Sequence, residues 1–335
     1  MQLRTKSFAC AIISVLLLSA CTGKKEETPE NASPKKEEML EETKEMNAFP
    51  RNIQIGDKTI SIPEKPTKIA PLSLDVAEIV LELVDESKVV AISSSIADPY
   101  LSTQSEKAAN IENNIASATS IDPEQVLSYK TDLLLLTKLH GQEEDADQVL
   151  SQAGIPILSF DKMETVKQFQ DNLFIIGQAI GEEEKANTLV EEMNNRMAEI
   201  QKQIPTDAEK PTVLVLSEVG PGTGPYMMAA GNISYDIIHL AGGAPAVDTI
   251  GLDRSTKASV EQVIKMDPDY IVLLDWAGRG EETYKDLIET PGWSTLQAVK
   301  NDQLKVLEVK YLLNPNTKVI DGLEILTNWI YPAKE

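Results

Sequence analysis

The chain has 335 residues and a formal net charge of −22. This length suggests about two domains and is ample for a well-buried core. So large a negative charge argues against a protein that works on nucleic-acid phosphates, because such proteins need clustered positive charge. Two histidines are too few for a histidine-rich zinc or manganese site, and two cysteines cannot form a disulfide framework.

The first twenty residues have the pattern of an export signal. Arg4 and Lys6 precede an apolar stretch that is too short to span a bilayer, and small residues follow it. The run Leu-Ser-Ala-Cys that ends at Cys21 resembles the lipobox of bacterial lipoproteins, whose peptidase cuts before the acylated cysteine. We therefore expect residues 1–20 to be removed and lipid on Cys21 to anchor the chain on the extracytoplasmic face of the cell membrane. An ordinary secretory signal with an incidental cysteine is the alternative.

Residues 21–50 are predicted to form a flexible, lipid-anchored tether. Lys, Glu, Thr, Asn and Pro dominate its composition, which cannot bury enough surface to offset the entropy of ordering. A helix over residues 36–46 is the alternative. Removing the signal makes the mature charge −24, and only −3 of it lies in residues 21–47. Most of the negative charge therefore belongs to the folded part of the chain.

The first half of the folded part predicts an α/β lobe over residues 51–162. Apolar and polar residues alternate around Gly56-Asp57, which predicts a β-hairpin. Short apolar runs follow, as expected for strands buried on both faces of a parallel sheet. The predicted strands lie at residues 68–70, 89–92, 133–137 and 155–160, and the predicted helices lie at residues 76–83 and 123–129.

Residues 163–204 interrupt this alternation and are predicted to be helical. Apolar residues recur at helical spacing on both sides of Gly181, which indicates two helices or one bent helix. The part over residues 182–203 would span about 33 Å at 1.5 Å per residue. We expect it to pack across the body of the protein, and a coiled-coil partner surface is the alternative.

Strand and helix patterns resume and predict a second α/β lobe over residues 205–335. The predicted strands lie at residues 212–217, 270–274 and 304–308, and the predicted helices lie at residues 234–240, 260–266, 285–288, 293–299 and 319–331. Trp293 and Trp329 are expected in the core, and His239 is expected to be structural.

A repeat relates the two halves. The sequence Glu-Gln-Val-Leu from Glu124 precedes Asp132 and an apolar strand, and Glu-Gln-Val-Ile from Glu261 precedes Asp269 and an apolar strand. The Asp follows the Glu by eight residues in both copies. Solenoid repeats recur at far shorter periods, so this pair favours two similar lobes. Chance similarity is the alternative.

Several short segments together resemble one family. They are residues 53–66 leading into Lys68-Ile69-Ala70, residues 132–136, Ala153-Gly154-Ile155-Pro156, Leu240-Ala241-Gly242-Gly243, residues 268–272 and Thr290-Pro291-Gly292-Trp293. In this order and spacing, from about residue 52 to residue 331, the chain is similar to the substrate-binding proteins of ABC importers for iron complexes and cobalamin. This class handles ferric siderophores, haem and vitamin B12.

The resemblance implies two similar α/β lobes joined by one long rigid helix, with the ligand cleft between them. The helix over residues 182–203 fits that link. It also implies a monomer that delivers a small molecule to an ABC permease and its ATPase. In the family, one glutamate on each lobe contacts arginines of the permease, and Glu124 and Glu261 stand at the matching positions. Each can also serve as an acid at a helix start that complements the helix dipole.

Ligands of α/β lobes bind beyond the carboxyl ends of the strands, so the segments after the strands hold the candidate contacts. Arginine suits the negative charge of many siderophores, and a tryptophan can stack on a planar ligand. A solvated loop charge is the plainer interpretation of each arginine. The candidate residues are Tyr100, His140, Tyr226, Arg254, Trp276, Arg279 and Tyr311.

The leading hypothesis is a binding protein that captures an iron chelate, most of all a ferric siderophore. Haem is the main rival, with His140, Tyr226 or Met228 as candidate iron ligands. Cobalamin is the next rival, and the residues leave open whether Met227 or Met228 faces a ligand. We find no dinucleotide loop, no Ser-His-Asp set and no paired catalytic carboxylates, so a chelate-modifying enzyme is disfavoured. A surface adhesin or sensor is the other alternative, and no resident cofactor or metal is expected beyond the lipid on Cys21.

Overall fold

The computed structural model describes residues 48–115, 122–138, 154–207, 209–220 and 222–332. The predicted signal, Cys21 and most of the predicted tether lie outside these residues, as does His140. Among the described residues, no helix combines the length and the apolar character that crossing a bilayer requires.

The predicted N-terminal hairpin is present. Strand β1 (Arg51–Ile55) pairs antiparallel with β2 (Lys58–Ile62), and Arg51 lies opposite Ile62. The two-residue turn between them uses Gly56 at φ +54°, a conformation that glycine adopts without steric cost. Ile53 and Ile62 are buried, so one face of the hairpin packs on the body.

The first lobe is built on short parallel strands, as the sequence predicts. The elements are β3 (Ile69–Pro71), α1 (Leu74–Leu83), β4 (Ile92–Ser93), α2 (Ser105–Ala108), β5 (Asn114–Ile115), α3 (Pro123–Ser128), β6 (Leu133–Thr137) and β7 (Ile157–Phe160). Strands β3, β6 and β7 form one parallel sheet, β4 pairs parallel with β5, and a bridge from Ile69 to Val89 joins the two sets. The strand expected over residues 89–92 is thus a single bridge followed by a two-residue strand.

Two helices connect the lobes. Helix α4 (Val166–Ile180) begins with a capping box between Thr165 and Gln168, and it ends where Gly181 adopts φ +71°. Helix α5 (Glu183–Gln201) then runs back along it, because Gln170 hydrogen-bonds Asn194 at 2.9 Å while Gly177 lies against Ala186. A Cβ at Gly177 would overlap that of Ala186, so glycine permits this close approach.

Each of these helices contacts both lobes. At the start of α4, the Val166 N–H donates to Asp236 of the second lobe at 2.9 Å. At the start of α5, the buried Glu183 pairs with Arg51 of the hairpin at 2.9 Å. Further along α5, Arg196 pairs with Asp321 and Glu324 of the second lobe, each at 2.7 Å. The link is therefore a two-helix brace, of which the helix expected over residues 182–203 is one half.

The second lobe is built on a larger mixed sheet. Its elements are β8 (Thr212–Ser217), β9 (Tyr226–Met227), α6 (Ile233–Leu240), β10 (Ala244–Pro245), β11 (Thr256–Lys257), α7 (Val260–Met266), β12 (Tyr270–Asp275), α8 (Lys285–Ile288), α9 (Gln297–Lys300), β13 (Leu304–Glu308), α10 (Val309–Leu312) and α11 (Val319–Ile330). The strand order is β11-β9-β8-β12-β13, with β10 beside β8. Strands β8, β12 and β13 are parallel, and β9 is antiparallel to β8. The helix expected over residues 293–299 is split by the extended Leu296.

The sequence repeat corresponds to a repeated structure. Asp132 accepts hydrogen bonds from the N–H and hydroxyl of Thr67, at 2.8 and 3.0 Å, where β3 is about to begin. Asp269 accepts the same two bonds from Thr212, at 2.7 and 2.8 Å, at the start of β8. In each lobe the Asp therefore ties its own strand to the start of a neighbouring parallel strand, which favours common design over chance.

One apolar core is shared between the lobes and the brace. It contains Val80 of the first lobe, Phe169 of α4 and Leu323 of α11, all essentially inaccessible to solvent. Burial of apolar surface stabilises by about 25 cal/mol per Å², so separating the lobes along this seam would be costly. The geometry therefore favours small relative movements of the lobes.

Candidate functional site

The carboxyl ends of β8 and β12 are joined by a hydrogen bond between side chains. The indole N–H of Trp276, which follows β12, donates to the hydroxyl of Ser217 at 2.9 Å. Ser217 is fully buried, whereas Trp276 is half-buried. The predicted ligand contact Trp276 is thus held at the strand end with part of its ring accessible.

The loop after β12 holds Arg279 in place. Asp275 accepts backbone hydrogen bonds from Ala277, Arg279 and Gly280 at 2.9 to 3.1 Å. Burial opposes ionisation of Asp275, but these N–H donors more than compensate and lower its pKa. The guanidinium of Arg279 then reaches across to Glu218, which follows β8, at 3.0 Å. Arg279 is 49% exposed and Glu218 is 4% exposed. A buried carboxylate therefore holds the arginine, and about half of the arginine side chain remains accessible to solvent.

Tyr226 lies at the carboxyl end of β8, whereas Arg254 lies in the segment that precedes β11. Tyr226 of β9 lies opposite Ser217 of β8 on one side and opposite Lys257 of β11 on the other. A basic residue is therefore its neighbour in the sheet. Tyr226 is half-buried against the core. Arg254 is exposed, and it has no hydrogen-bond or ion-pair partner among the described residues.

The first lobe meets the second through the segment that follows β4. The backbone of Lys310 donates to the Tyr100 carbonyl at 3.2 Å, and its ammonium donates to the Pro99 carbonyl at 2.8 Å. Asn314 donates to the Leu101 carbonyl at 2.8 Å. The Tyr100 ring lies against Gly278, where a Cβ would stand 2.7 Å from Cζ of the tyrosine. Tyr100 is therefore at the boundary between the lobes.

A second set of contacts between the lobes lies at the start of the brace. Lys162, which follows β7, donates to the carbonyl of Gly231 and to Asn232 at 3.2 Å. Burial lowers the pKa of Lys162, and the nearby Glu164 opposes that shift. The segments that follow β4, β7, β12 and β13 thus all lie where the two lobes meet.

The strand ends of the first lobe are polar and internally bonded. The Thr137 N–H donates to the Ser73 hydroxyl at 2.9 Å, and the Thr137 hydroxyl donates to Asp75 at 2.8 Å. Burial raises the pKa of Asp75, which the bond from Thr137 only partly offsets. Lys138 follows directly and lies 3.9 Å from Asp161. The predicted contact His140 lies just beyond, outside the described residues.

The four arginines of the described residues divide between the brace and the second lobe. Arg51 and Arg196 are engaged in the brace with Glu183, Asp321 and Glu324. Arg279 lies in the loop after β12, at the strand end, whereas Arg254 lies in the segment that precedes β11. Acidic side chains lie in the same segments, because Glu218 pairs with Arg279, Glu308 pairs with Lys310 and Asp161 lies near Lys138. The boundary therefore contains charges of both signs.

Other predicted residues have plainer roles. Met227 and Met228 are both buried, so neither is exposed at the lobe boundary. Tyr311 is half-buried against the core, with the Lys310 ammonium 5.7 Å from its ring centre. Trp293 is buried as expected, while Trp329 is half-buried and stacks edge-on against Tyr270.

Several residues at the boundary escaped the sequence prediction. Glu218, Gly278, Lys310 and Lys162 all lie within three residues of the end of a strand. An acid and a glycine carry no obvious ligand chemistry, so their positioning roles depend on which loops meet in space. The consistent signal was the strand end itself.

The two glutamates of the repeat are both exposed on the first turn of a short helix. Glu124 follows Asp122, whose side chain caps α3, and Glu261 follows Ser259, whose side chain caps α7. Two residues further on, Val126 and Val263 are each fully buried. Each glutamate is thus fixed on a helix that is anchored to its lobe and presents its carboxylate to solvent.

Comparison with known proteins finds relatives over nearly the whole chain. The family model for periplasmic binding proteins matches residues 69–311. The uncharacterized ABC transporter substrate-binding lipoprotein YvrC of Bacillus subtilis is 25% identical over 336 residues, which cover 99% of this chain and 98% of that protein.

Solved structures have the same fold. The apo form of the periplasmic heme-binding protein RhuT from Roseiflexus is similar with a TM-score of 0.66 and 23% identity, over 79% of this chain and 97% of that one. A protein of an ABC-type Fe3+-hydroxamate transport system from Saccharomonospora viridis is similar with a TM-score of 0.68 and 21% identity, over 85% of this chain and all of that one.

Proposed function

The chain belongs to the periplasmic binding protein family, and on that premise we propose that it captures a ferric siderophore and delivers it to an ABC permease. The names of its relatives and structural neighbours include an ABC transporter substrate-binding lipoprotein, a heme-binding protein and an Fe3+-hydroxamate transport system. The name of the relative from Bacillus subtilis supports lipid anchoring at Cys21 on the extracytoplasmic face of the membrane. Delivery would proceed through Glu124 and Glu261, in keeping with the family resemblance.

The observation that carries the siderophore proposal is the anchored Arg279. Glu218 holds one side of the guanidinium at 3.0 Å and leaves about half of the side chain exposed at the lobe boundary. Arginine offers several donors in a planar fork, which suits carboxylate and catecholate oxygens of an iron chelate. Trp276 and Tyr226 supply half-buried aromatic surface beside it. We propose Tyr100 and Tyr311 as further walls, Arg254 as a second cation and His140 as a contact of the first lobe.

The binding experiment is a fluorescence titration of the purified mature chain. The probes are a carboxylate ferric siderophore, a catecholate ferric siderophore, a neutral ferric trihydroxamate, haemin and cyanocobalamin. We expect saturable quenching by an anionic ferric siderophore below micromolar concentration, since Trp276 lies at the boundary. Absence of quenching by every siderophore in that range would refute the siderophore preference.

A pair of arginine variants tests the role of Arg279. Arg279→Gln is expected to weaken binding of the anionic chelate by about tenfold, the scale of one charge-assisted hydrogen bond. The matched control is Arg196→Gln, because Arg196 is similarly exposed, at 47%, but pairs on the brace. Equal effects of the two substitutions would contradict a direct contact by Arg279.

Haem is the second candidate ligand, favoured by one feature of the boundary. Tyr226 carries a phenol oxygen that could serve as an axial ligand, whereas Met227 and Met228 are too buried to do so. Haem binding predicts a Soret band that changes on Tyr226→Phe. Cobalamin would need no iron ligand, so its binding would survive that substitution. A chelate that emerges chemically altered, as seen by mass spectrometry, would instead indicate an enzyme.

A further inference from the structure

The exposed apolar residues of the chain are distributed unevenly. Among the described residues, the large apolar side chains that are exposed are Leu127, Ile264 and Val219, at 36%, 38% and 51% exposure. Single exposed apolar residues are ordinary on a protein surface. Here, however, Leu127 and Ile264 occupy the same position in the two copies of the repeat, three residues after Glu124 and Glu261.

The local geometry makes each pair one surface feature. Residues three apart on a helix are neighbours on its surface, so Leu127 lies beside Glu124 and Ile264 lies beside Glu261. The buried Val126 and Val263 fix the opposite side of each helix to its lobe. Ile264 also rests on Gly292, where an added Cβ would lie 2.6 Å from its Cδ1. Each lobe thus presents a carboxylate and an aliphatic side chain, which we name the repeat patch.

We infer that Leu127 and Ile264 add an apolar contact to the permease docking proposed for Glu124 and Glu261, each side chain entering an apolar depression of the permease beside the cation that pairs with the neighbouring glutamate. This inference rests on the proposed function and adds two residues to it. Because the patches are copies of one motif, the partner must present two equivalent depressions. The aliphatic side chains would exclude water from the ion pairs, which strengthens them.

Charge complementarity favours the permease over a second copy of the chain or a membrane surface as the partner of the repeat patches. The full chain has a net charge of −22, most of which belongs to the folded part, and each patch contains an exposed carboxylate. A second copy of the chain would place like charges against each other, which disfavours association. An anionic membrane surface would repel the same carboxylates. A surface that offers guanidinium groups next to apolar depressions satisfies both components of the patch.

The test compares Leu127→Gln, Ile264→Gln and the double variant with Val219→Gln. Val219 is the matched control, because it is the other exposed large apolar side chain of the described surface and lies outside the repeat. The mature chain is titrated onto the cognate permease and ATPase in nanodiscs. We expect about fivefold weaker docking for each single variant and about 25-fold for the double, from partial burial of each side chain. Val219→Gln should dock like the unsubstituted chain.

Further measurements distinguish permease docking from ligand binding, self-association and membrane binding. Quenching by the siderophore probes must be unchanged in Leu127→Gln, Ile264→Gln and their double variant, because the patches are not proposed to contact ligand. A second double variant, Glu124→Gln with Glu261→Gln, tests the glutamates. If it abolishes docking while the Leu127→Gln and Ile264→Gln double variant docks normally, the inference is overturned and the proposed function stands. The unsubstituted chain is also tested for self-association and for binding to permease-free phosphatidylglycerol vesicles. If it shows either property and the Leu127→Gln and Ile264→Gln double variant loses it, the inference is overturned in favour of a second copy of the chain or a membrane surface. Failure of the unsubstituted chain to bind any chelate would refute the proposed function itself.

Discussion

A methyl group added at Gly278 probes the contact by which the two lobes meet. Gly278 has φ +70°, and a Cβ at this position would lie 2.7 Å from Cζ of Tyr100 and closer still to its hydroxyl oxygen. Carbon atoms do not approach so closely without repulsion. Gly278→Ala must therefore either displace the Tyr100 side chain or separate the lobes at this point.

The magnitudes decide between these responses. The left-handed backbone conformation costs an alanine about 1–2 kcal/mol whatever its surroundings. Moving the Tyr100 ring off its preferred rotamer costs about 0.5–1.5 kcal/mol more. Separating the lobes would break the hydrogen bonds that Lys310 and Asn314 donate to residues 99–101, at about 1 kcal/mol each. Displacing the ring is cheaper, so we expect a total loss of about 2–3 kcal/mol.

This cost is measured by urea unfolding of five proteins: the unsubstituted chain, Gly278→Ala, Gly280→Ala, Tyr100→Ala and the double variant Tyr100→Ala with Gly278→Ala. Gly280→Ala is the matched control, because Gly280 has φ +56° but no atom within 4 Å of an added Cβ, so it reports backbone strain alone. We expect it to cost about 1–2 kcal/mol. In a Tyr100→Ala background, Gly278→Ala should cost no more than Gly280→Ala does. Equal costs of Gly278→Ala in both backgrounds would refute the contact.

Three further outcomes are expected from the buried charges and the repeat. Replacing Arg51 with Ala leaves the buried Glu183 without its ion-pair partner and should cost about 3 kcal/mol in urea unfolding; a cost below 1 kcal/mol would show that this pair does not brace the link. Burial raises the pKa of Glu78 above its usual 4.5, so the folded state holds the proton more tightly and stability falls as pH rises from 4.5 through the folded pKa. Glu78→Gln should flatten that part of the stability profile, and an unchanged slope would contradict the assignment. Asp132→Asn and Asp269→Asn should each cost about 1–2 kcal/mol and add in the double variant, since they anchor separate sheets; strong non-additivity would indicate coupled lobes.

The regular elements were largely predictable because local patterns encode them. Strands such as Leu133–Thr137 and Thr212–Ser217 are continuous apolar runs, and helix Val260–Met266 follows a serine cap. The predicted element boundaries were wrong at two places. Leu296 divides a predicted helix because it adopts an extended conformation, and residues 89–91 provide one bridge before a short strand.

The candidate site was predictable only in outline. That ligand contacts follow strands is a property of parallel α/β sheets, and it brought Trp276, Arg279 and Tyr226 into view. The bond from Trp276 to Ser217 and the pairing of Arg279 with Glu218 join segments about 60 residues apart. No local pattern specifies such partners, because they depend on which strands become neighbours in the sheet.

Composition, periodicity and the repeat by themselves determined an acidic chain with two similar α/β lobes and a helical link, since these features depend on local preferences and on which faces must be buried. Only the tertiary structure decided that the link is a pair of antiparallel helices, with Gly177 permitting their close approach. It also decided that Arg51 and Arg196 serve the brace while Arg279 stays open at the boundary, and that Leu127 and Ile264 remain exposed at equivalent positions. The physical reason is that exposure and partner choice are set by packing between distant segments, whereas hydrophobic periodicity is written into each segment alone.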